Sequence, residues 1–398
     1  MIDLVDKPHC TGCAACKAVC QRGAISMRAD EEGFLYPHID ASKCINCGMC
    51  QKVCPSINPA EVRRPLGVYA AMAKDDALRL ASSSGGVFSL LAGYILAKGG
   101  VVFGAAFDRD DWHVYHTPAE TEAELAELRG SKYVQSDVGD CYRQVKDFLD
   151  SGRPVLFTGT PCQIAALNKF LAQWKGTPLD NLHLVDVVCH AVPSPLAWKK
   201  YLEKRVSSAY NLWEGGLRAI RRIVSRRKDC GWKRFSMSLG FANDMEYRAL
   251  FCDDPFMRGF LAELYNRPSC HNCPSKNLRS GSDITIADYW GVASKLPEMD
   301  DDKGTSLVLV NTEKGKKAFA ALAEKIVFKA SDFDHAVAGN PAIVRPTTPY
   351  RNRDRFFCRV MKSDFDSLVN RMLQPPLKNR IRAFVGRVLR HFGWTRHH

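Results

Sequence analysis

The sequence predicts a mixed α/β protein in three parts: a small cysteine-rich module over residues 1–60, a larger α/β body over residues 66–345 and a basic helical tail over residues 346–398. Three observations predict this organisation. Eight of the 16 cysteines fall within the first 54 residues. Strand-like apolar runs alternate with helical segments between residues 68 and 206, as in an α/β sheet. Apolar residues recur at helical spacing near the C-terminus.

The composition is that of an ordinary globular protein, with 46% hydrophobic and 25% charged residues, which excludes disordered and fibrous classes. The first residues, MIDLVDK, lack the basic region and apolar run of a secretory signal. The longest apolar stretch, Val87 to Ala97, has about half the length of a membrane span. We therefore expect a cytoplasmic protein, in which many cysteines favour metal ligation over disulfides.

Two cysteine runs with identical spacing dominate the N-terminal module. They are CTGCAACKAVC from Cys10 and CINCGMCQKVCP from Cys44. This is the pattern of bacterial two-cluster ferredoxins, in which the first three cysteines of a run bind one [4Fe-4S] cluster and the fourth binds the other. The predicted ligand sets are Cys10, Cys13, Cys16 and Cys54 for one cluster, and Cys44, Cys47, Cys50 and Cys20 for the other.

Zinc is the main alternative, because paired CxxC units also suit tetrahedral sites. The interleaved runs of four cysteines favour iron-sulfur clusters. Small residues such as Gly12 and Gly48 let the backbone approach the cluster sulfides. Gln21 stands after the first run where Pro55 follows the second, which leaves the local turn open but removes no ligand.

The body is predicted to alternate strands and helices. We expect strands over residues 68–73, 101–107, 155–157, 182–188 and 306–310, and helices over 86–97, 120–128, 138–149, 163–171 and 195–206. Residues 217–241 are strand-rich and basic, residues 335–349 look irregular, and the chain looks helical from residue 353.

Five blocks of the body resemble the β subunit of coenzyme F420-reducing hydrogenases and dehydrogenases. The blocks are ASSSGGVFS from Ala81, RGSKYVQS from Arg129, LFTGTPCQIAAL from Leu156, LVDVVCHAVPSP from Leu184, and RPSCHNCPSK from Arg267 followed by SDITIADYWG. The resemblance extends over residues 66–292 and covers little of the last hundred residues. It implies FAD in the large domain and hydride exchange between that flavin and a second substrate, the deazaflavin coenzyme or another organic acceptor.

The candidate flavin-binding residues are rich in small and hydroxyl side chains and are Ser84, Gly85, Gly86, Lys132, Thr158, Gly159 and Thr160. The serine-glycine segment precedes a helix, whose positive end can bind a pyrophosphate; a helix cap without a ligand is the alternative. The threonine segment follows a buried strand, where α/β sheets bind ligands. Lys132 is either a counter-charge for phosphate or flavin, or a solvated surface lysine.

Four body cysteines within these blocks, Cys162, Cys189, Cys270 and Cys273, suit a third [4Fe-4S] cluster; buried free thiols are the alternative. His190 is a candidate proton relay, because histidine titrates near neutral pH, or a structural hydrogen-bond donor. Asp288 is a candidate polar contact to flavin or substrate. Tyr289 and Trp290 are expected either to pack on a flavin ring or, more simply, in the core.

The net charge of +13 is concentrated outside the cysteine-rich module, with eight basic residues between positions 218 and 234. Such a surface suits an acidic redox partner, an anionic substrate or a lipid head group, and no nucleic-acid motif accompanies it. Near the C-terminus, apolar residues from Ile381 to Phe392 alternate with arginines at helical spacing. This stretch is expected either to pack on the body or to contact an anionic membrane, close to lipid-linked substrates.

The sequence thus predicts an iron-sulfur flavoprotein oxidoreductase that passes electrons between [4Fe-4S] clusters and FAD, with a partner protein or electron carrier. The alternative is a non-catalytic, ferredoxin-type electron-delivery subunit of a larger redox complex. Bound FAD would separate the two.

Overall fold

The computed structural model describes residues 4–209 and 216–374. Its strands are β1 (Ile25–Ala29), β2 (Leu35–Ile39), β3 (Gly67–Ala73), β4 (Val101–Phe107), β5 (Val114–Ala119), β6 (Val155–Gly159), β7 (Leu182–Val187), β8 (Ile220–Arg227), β9 (Ser236–Phe241), β10 (Glu246–Leu250), β11 (Ile284–Asp288), β12 (Ser306–Val310) and β13 (Ile326–Ala330). Its helices are α1 (Ala15–Val19), α2 (Met49–Lys52), α3 (Asp76–Ala81), α4 (Val87–Leu96), α5 (Glu122–Leu128), α6 (Cys141–Asp150), α7 (Pro161–Leu171), α8 (Pro195–Ala209), α9 (Pro255–Leu261), α10 (Glu313–Ala320), α11 (Phe333–Gly339), α12 (Arg353–Val360) and α13 (Phe365–Met372).

An eight-stranded mixed sheet forms the centre of the body, with strand order β13-β3-β12-β11-β7-β6-β4-β5. Strands β4, β6, β7 and β11 run parallel to one another, and the remaining pairs are antiparallel. The carboxyl ends of the four parallel strands therefore lie at the same edge. The predicted α/β sheet is confirmed, with antiparallel strands added at both sides.

Helices cover both faces of this sheet. Leu91 of α4, Leu128 of α5 and Phe319 of α10 pack on one face, and Tyr142 of α6 and Leu167 of α7 pack on the other. Burial on both faces explains why the central strands are almost continuously apolar rather than alternating.

The N-terminal module combines the β1-β2 hairpin with α1 and α2. Ala15, Ala18 and Val19 of α1 belong to the same buried cluster as Tyr142 and Phe170 of the body. The module thus shares a hydrophobic core with the body.

A third group of elements packs beside the sheet. The strands β8 to β10 form a separate antiparallel sheet, and α8, α9, α12 and α13 surround it with a core that includes Tyr201, Phe256 and Phe365. The expectation of irregular structure over residues 335–349 was wrong at its beginning, because Asp332 accepts a hydrogen bond from the His335 N–H (2.7 Å) and caps α11.

Helical structure from residue 353 is confirmed as far as Met372. The amphipathic stretch from Ile381 to Phe392 lies outside the described residues. Within residues 4–209 and 216–374, no helix combines the length and apolar character needed to cross a membrane.

Candidate functional site

The two cysteine runs adopt the same backbone conformation. Gly12 (φ +67°) and Ala14 (φ +60°) of the first run occupy the same positions as Asn46 (φ +53°) and Gly48 (φ +74°) of the second, and all four are left-handed. A left-handed alanine is uncommon, and such strain is concentrated at functional sites. The helices α1 and α2 begin directly after Ala14 and Gly48, so the runs are structural copies.

The turn at Gln21 needs no proline. The Cys20 N–H donates to the Lys17 carbonyl at 3.2 Å, and the Cys54 N–H donates to the Gln51 carbonyl at the same distance. The backbone N–H of the fourth cysteine therefore makes the same hydrogen bond in both runs, although Gln21 follows the first run and Pro55 follows the second.

Cys10, Cys13, Cys16 and Cys54 surround a single small cavity of the module. Burial raises the pKa of Cys13 to about 12. In the second set, burial raises the pKa of Cys50, and the neighbouring Cys47 and Cys44 raise it further. The buried thiols must therefore lose protons when they bind a metal, since thiolates are the ligands. Cys47 is exposed, whereas Cys20, Cys44 and Cys54 are half-buried.

The spacing of the sulfur atoms argues against zinc. In the described ranges, the one group of three cysteine, histidine or acidic side chains whose ligand atoms all lie within 4.8 Å of one another is Asp108, Asp111 and His113. Four sulfurs at about 2.3 Å from a tetrahedral zinc ion would lie about 3.8 Å apart. No three cysteine sulfurs in the described ranges lie within 4.8 Å of one another, as suits a cluster in which each thiolate binds a different iron.

The fold brings the four body cysteines together from distant segments. Cys162 is the second residue of α7, Cys189 follows β7, and Cys270 and Cys273 belong to a short turn after α9. Burial raises the pKa of Cys162, and Cys273, Cys189 and Cys13 are all close enough to raise it further. Cys270 interacts in the same way with Cys189 and Cys273. The body set is thus contiguous, and it adjoins the first set of the module through Cys13.

A cavity of about 310 Å³ opens at the carboxyl ends of β6, β7 and β11. Three separate segments of candidate flavin-binding residues line this cavity: Ser84 and Gly86, Lys132, and Thr158 to Thr160. His190 and Asp288 line it as well, and so does Cys189. Ligands of α/β sheets bind at this edge.

The serine-glycine segment presents the beginning of α4 to the cavity. Gly86 (φ +88°) precedes the ten-residue helix, and no side chain from the described part of the protein caps its first amides. Uncapped amides at a helix N-terminus are donors for an anion. Gly85 does not line the cavity: its N–H donates to Ser306 Oγ (3.0 Å), and a side chain there would meet the Ala71 carbonyl oxygen at 2.4 Å.

Lys132 is tethered beside the cavity by two backbone carbonyls. Its Nζ donates to the carbonyls of Glu127 (2.7 Å) and Arg129 (2.8 Å). Burial lowers the pKa of Lys132 to about 7. A lysine ammonium has three donors, so the charged form retains one for a ligand.

Two of the basic residues predicted to form a charged surface instead face inward. Lys228 Nζ donates to the carbonyls of Arg79, Ser84 and Lys303, each at 2.8 Å. Burial lowers the pKa of Lys228 to about 7. Arg226 lines the cavity. Lys228 therefore stabilises the serine-glycine segment through its hydrogen bond to the Ser84 carbonyl.

Asp288 is held by protein partners at both oxygens. Oδ2 accepts from Arg226 Nη1 (2.5 Å) and Oδ1 accepts from Trp232 Nε1 (2.9 Å). Because both carboxylate oxygens already accept hydrogen bonds, Asp288 is better suited to positioning its neighbours than to acting as a general base. Trp290 stacks on Trp232 with ring centroids 4.8 Å apart. Neither Trp290 nor Tyr289 lines the cavity; Tyr289 is buried and Trp290 is half-buried.

His190 lines the cavity, with part of the residue open to solvent and part enclosed by the cavity wall. Its surroundings lower the pKa, mainly through desolvation and then through the positive charges of Lys276 and Arg226. The imidazole is therefore neutral at neutral pH and able to accept a proton.

Two cavity residues were not predicted from the sequence. His116 is buried, with Nδ1 2.7 Å from Ser136 Oγ and Nε2 2.8 Å from the Thr158 carbonyl. Gln163 Oε1 accepts from the Thr160 N–H at 3.0 Å. The spacing Thr-x-x-Gln is a capping-box signal and could have identified Gln163; nothing local marks His116.

The duplicated cysteine module on a mixed α/β body defines an iron-sulfur electron-transfer protein. Residues 9–57 match the 4Fe-4S dicluster domain. Residues 68–141 and 152–336 match the N-terminal and C-terminal parts of the coenzyme F420 hydrogenase/dehydrogenase β subunit. The chain belongs to the family of these β subunits and carries an N-terminal dicluster domain.

Individual relatives cover parts of the chain. A protein of the F420H2 dehydrogenase of Methanosarcina mazei is 26% identical over 175 residues, which are 41% of this chain and 49% of that protein. The chain therefore spans about half the length of this relative. An uncharacterized ferredoxin of Methanocaldococcus jannaschii is 38% identical over 53 residues, 13% of this chain and 68% of the ferredoxin.

A solved structure also shares similarity with the chain. It belongs to the F420-reducing [NiFe] hydrogenase complex of Methanosarcina barkeri, with a TM-score of 0.49 and 18% identity, and the match covers 71% of this chain and 90% of that chain.

Proposed function

We propose that the protein is an iron-sulfur flavoprotein oxidoreductase that binds FAD in the 310 Å³ cavity and exchanges hydride with an organic substrate. One observation carries the proposal. The candidate flavin residues converge on a cavity whose wall includes Cys189, and Cys189 belongs to the cysteine set that adjoins Cys13 of the dicluster module. The cavity and the module are thereby connected through thiols.

The cavity residues fit a flavin dinucleotide. The uncapped amides of α4 provide donors for the pyrophosphate, and protonated Lys132 adds positive charge beside them. His190 is neutral and lines the cavity, where it can hold a proton during hydride exchange. FAD, when bound, would supply the conversion between a two-electron hydride and single electrons.

We propose that electrons pass between the cavity and the partner through the three cysteine sets. The body set lies between the cavity and the first set of the module, and the second set includes the exposed Cys47. Ile45 beside it is 62% exposed. We propose that a redox partner protein docks at this loop. The names of the relatives make the deazaflavin coenzyme a candidate substrate, with another organic acceptor as the alternative.

Anaerobic purification of the full chain tests the proposal. We expect one non-covalent FAD and about twelve irons with matching sulfide, four per cluster. Reduction of the bound flavin should then reduce the clusters, which absorbance and electron paramagnetic resonance would follow. Full iron content without any affinity for FAD would instead support an electron-delivery subunit.

A further inference from the structure

Arg267 is a fully buried cation between the module and the body. Its side chain is 1% exposed. Nε donates to the Cys10 carbonyl (2.9 Å), Nη2 donates to the Leu35 carbonyl (2.9 Å) and Nη1 donates to Gln135 Oε1 (3.3 Å). The guanidinium also lies 4.4 Å from the ring centroid of Tyr36.

No carboxylate within the described ranges forms an ion pair with Arg267, unlike the buried Arg79, Arg205, Arg226 and Arg353. Its hydrogen-bond partners are neutral oxygens. Burying an unpaired charge is costly, and folded proteins normally pair such a charge with an anion. The neutral partners satisfy the donors but leave the charge uncompensated.

The anions that can compensate Arg267 are the cysteine thiolates of two ligand sets. Its Nε donates to the Cys10 carbonyl at 2.9 Å, and its own backbone carbonyl accepts from the Cys270 N–H at 3.0 Å. A Cβ atom on Gly12 would lie 2.7 Å from Nη1, so the guanidinium lies directly against the Cys10 to Cys13 turn. Arg267 therefore adjoins both the first set of the module and the body set.

We propose that Arg267 is a shared counter-cation that favours the one-electron-reduced form of the cluster held by Cys10, Cys13, Cys16 and Cys54, and of the adjoining body cluster. Each reduction adds one electron, and hence one negative charge, to a site already held by four thiolates. A fixed cation in a low-dielectric interior stabilises the added charge. The inference rests on the clusters of the proposed function and does not require the flavin.

A second buried cation provides a comparison at the body set alone. Lys276 Nζ donates to the carbonyls of Cys189 (2.6 Å) and Ala342 (2.7 Å). Both of these carbonyls belong to the body. Loss of Lys276 should therefore affect the body cluster and spare the module.

The test is an anaerobic redox titration of the full chain, followed by electron paramagnetic resonance, with iron content measured for every variant. We expect R267Q to retain iron and to shift the midpoint potential of the Cys10 cluster to a more negative value, while R267K stays close to the parent. K276Q should shift the body cluster alone. R353Q is the matched control, because it removes a buried arginine that is already paired with Glu32 across the same interface.

Wild-type potentials in an iron-replete R267Q would overturn the proposal. An equal shift in R267K or R353Q would also overturn it, because such a shift would indicate loosened packing rather than lost charge. If R267Q does not retain iron, G12A serves instead, because its methyl group would displace the guanidinium; an unchanged potential in G12A would then overturn it. Absence of flavin in the same preparations would refute the flavoprotein proposal and leave this inference standing.

Discussion

Arg353 forms a bidentate ion pair with Glu32, and this pair joins the first turn of α12 to the loop between β1 and β2. Nη1 donates to Oε1 at 2.9 Å, and Nη2 bonds Oε2. Both side chains are largely buried, with exposed fractions of 11% and 15%. The two residues are 321 positions apart, so this contact closes the dicluster module onto the C-terminal helices.

Replacing one partner of this pair should destabilise the protein. E32Q removes the close partner of the largely buried Arg353 and leaves the exposed Asp354 carboxylate at 3.9 Å; breaking a buried pair in this way costs up to about 3–5 kcal/mol. Denaturant unfolding of the full chain measures the loss. E31Q is the matched control, since Glu31 is exposed on the same loop and pairs with Lys7. Equal stability of E32Q and E31Q would contradict the assigned importance of the pair.

The iron content of cysteine variants tests the three ligand sets. In the full chain, C162S and C270S should each lose about four irons and keep the clusters of the module. C47S should lose the cluster of the second set. C230S and C252S are controls, because both cysteines are exposed and lie outside the three sets. Iron loss in the controls, or none in C270S, would refute the assignment.

FAD binding should weaken as the pH rises through the pKa of Lys132. This pKa is about 7 in the folded protein, so the side chain is charged at pH 6 and mostly neutral at pH 8.5. The anionic pyrophosphate favours the charged form, and affinity should fall by about tenfold or more over this interval. Fluorescence titration with FAD measures the change. K132M should bind weakly and show little of this pH dependence, whereas K175M, at an exposed lysine, should behave as the parent.

His116 should make the protein sensitive to acid. Burial lowers the pKa of His116 to about 4, whereas the unfolded chain protonates this histidine near pH 6.5. The stability from neutral His116 is present above pH 6.5 and falls as the pH is lowered, by about 2 kcal/mol between pH 7 and pH 5. Unfolding curves at both pH values should show a smaller decrease for H116Q than for the parent. H9Q is the control, because His9 is exposed; a parent-like decrease in H116Q would refute this account.

Membrane contact by the C-terminal stretch remains a prediction. Contact with the lipid interface through positions 381–392 predicts that the full chain sediments with anionic vesicles more strongly than a chain that ends at Pro375. Packing on the body, the alternative, predicts a loss of soluble folded protein on the same truncation. Equal sedimentation of the two chains would exclude this stretch as an anchor.

Local patterns predicted a large part of the fold. The repeated spacing of the cysteines marked the dicluster module, because consecutive ligands lie on one tight turn. The strand from Val101 to Phe107 was visible as a continuous apolar run, because both of its faces are buried, and the helix after Gly86 was visible as a longer apolar stretch. Helix α11 was missed because it has only seven residues and is followed by prolines, which indicated irregular structure.

The sequence by itself determined the types of chemical group in this protein: two runs of metal-ligating cysteines, four further cysteines, and small or hydroxyl residues after predicted strands. Only the tertiary structure decided which groups meet. It placed Asp288 in an ion pair, turned Lys228 inward, removed Gly85 from the cavity wall and buried Arg267 without an acidic partner among the described residues. The physical reason is that spacing along the chain encodes local conformation, whereas the pairing of a buried charge depends on contacts between residues that are distant in sequence.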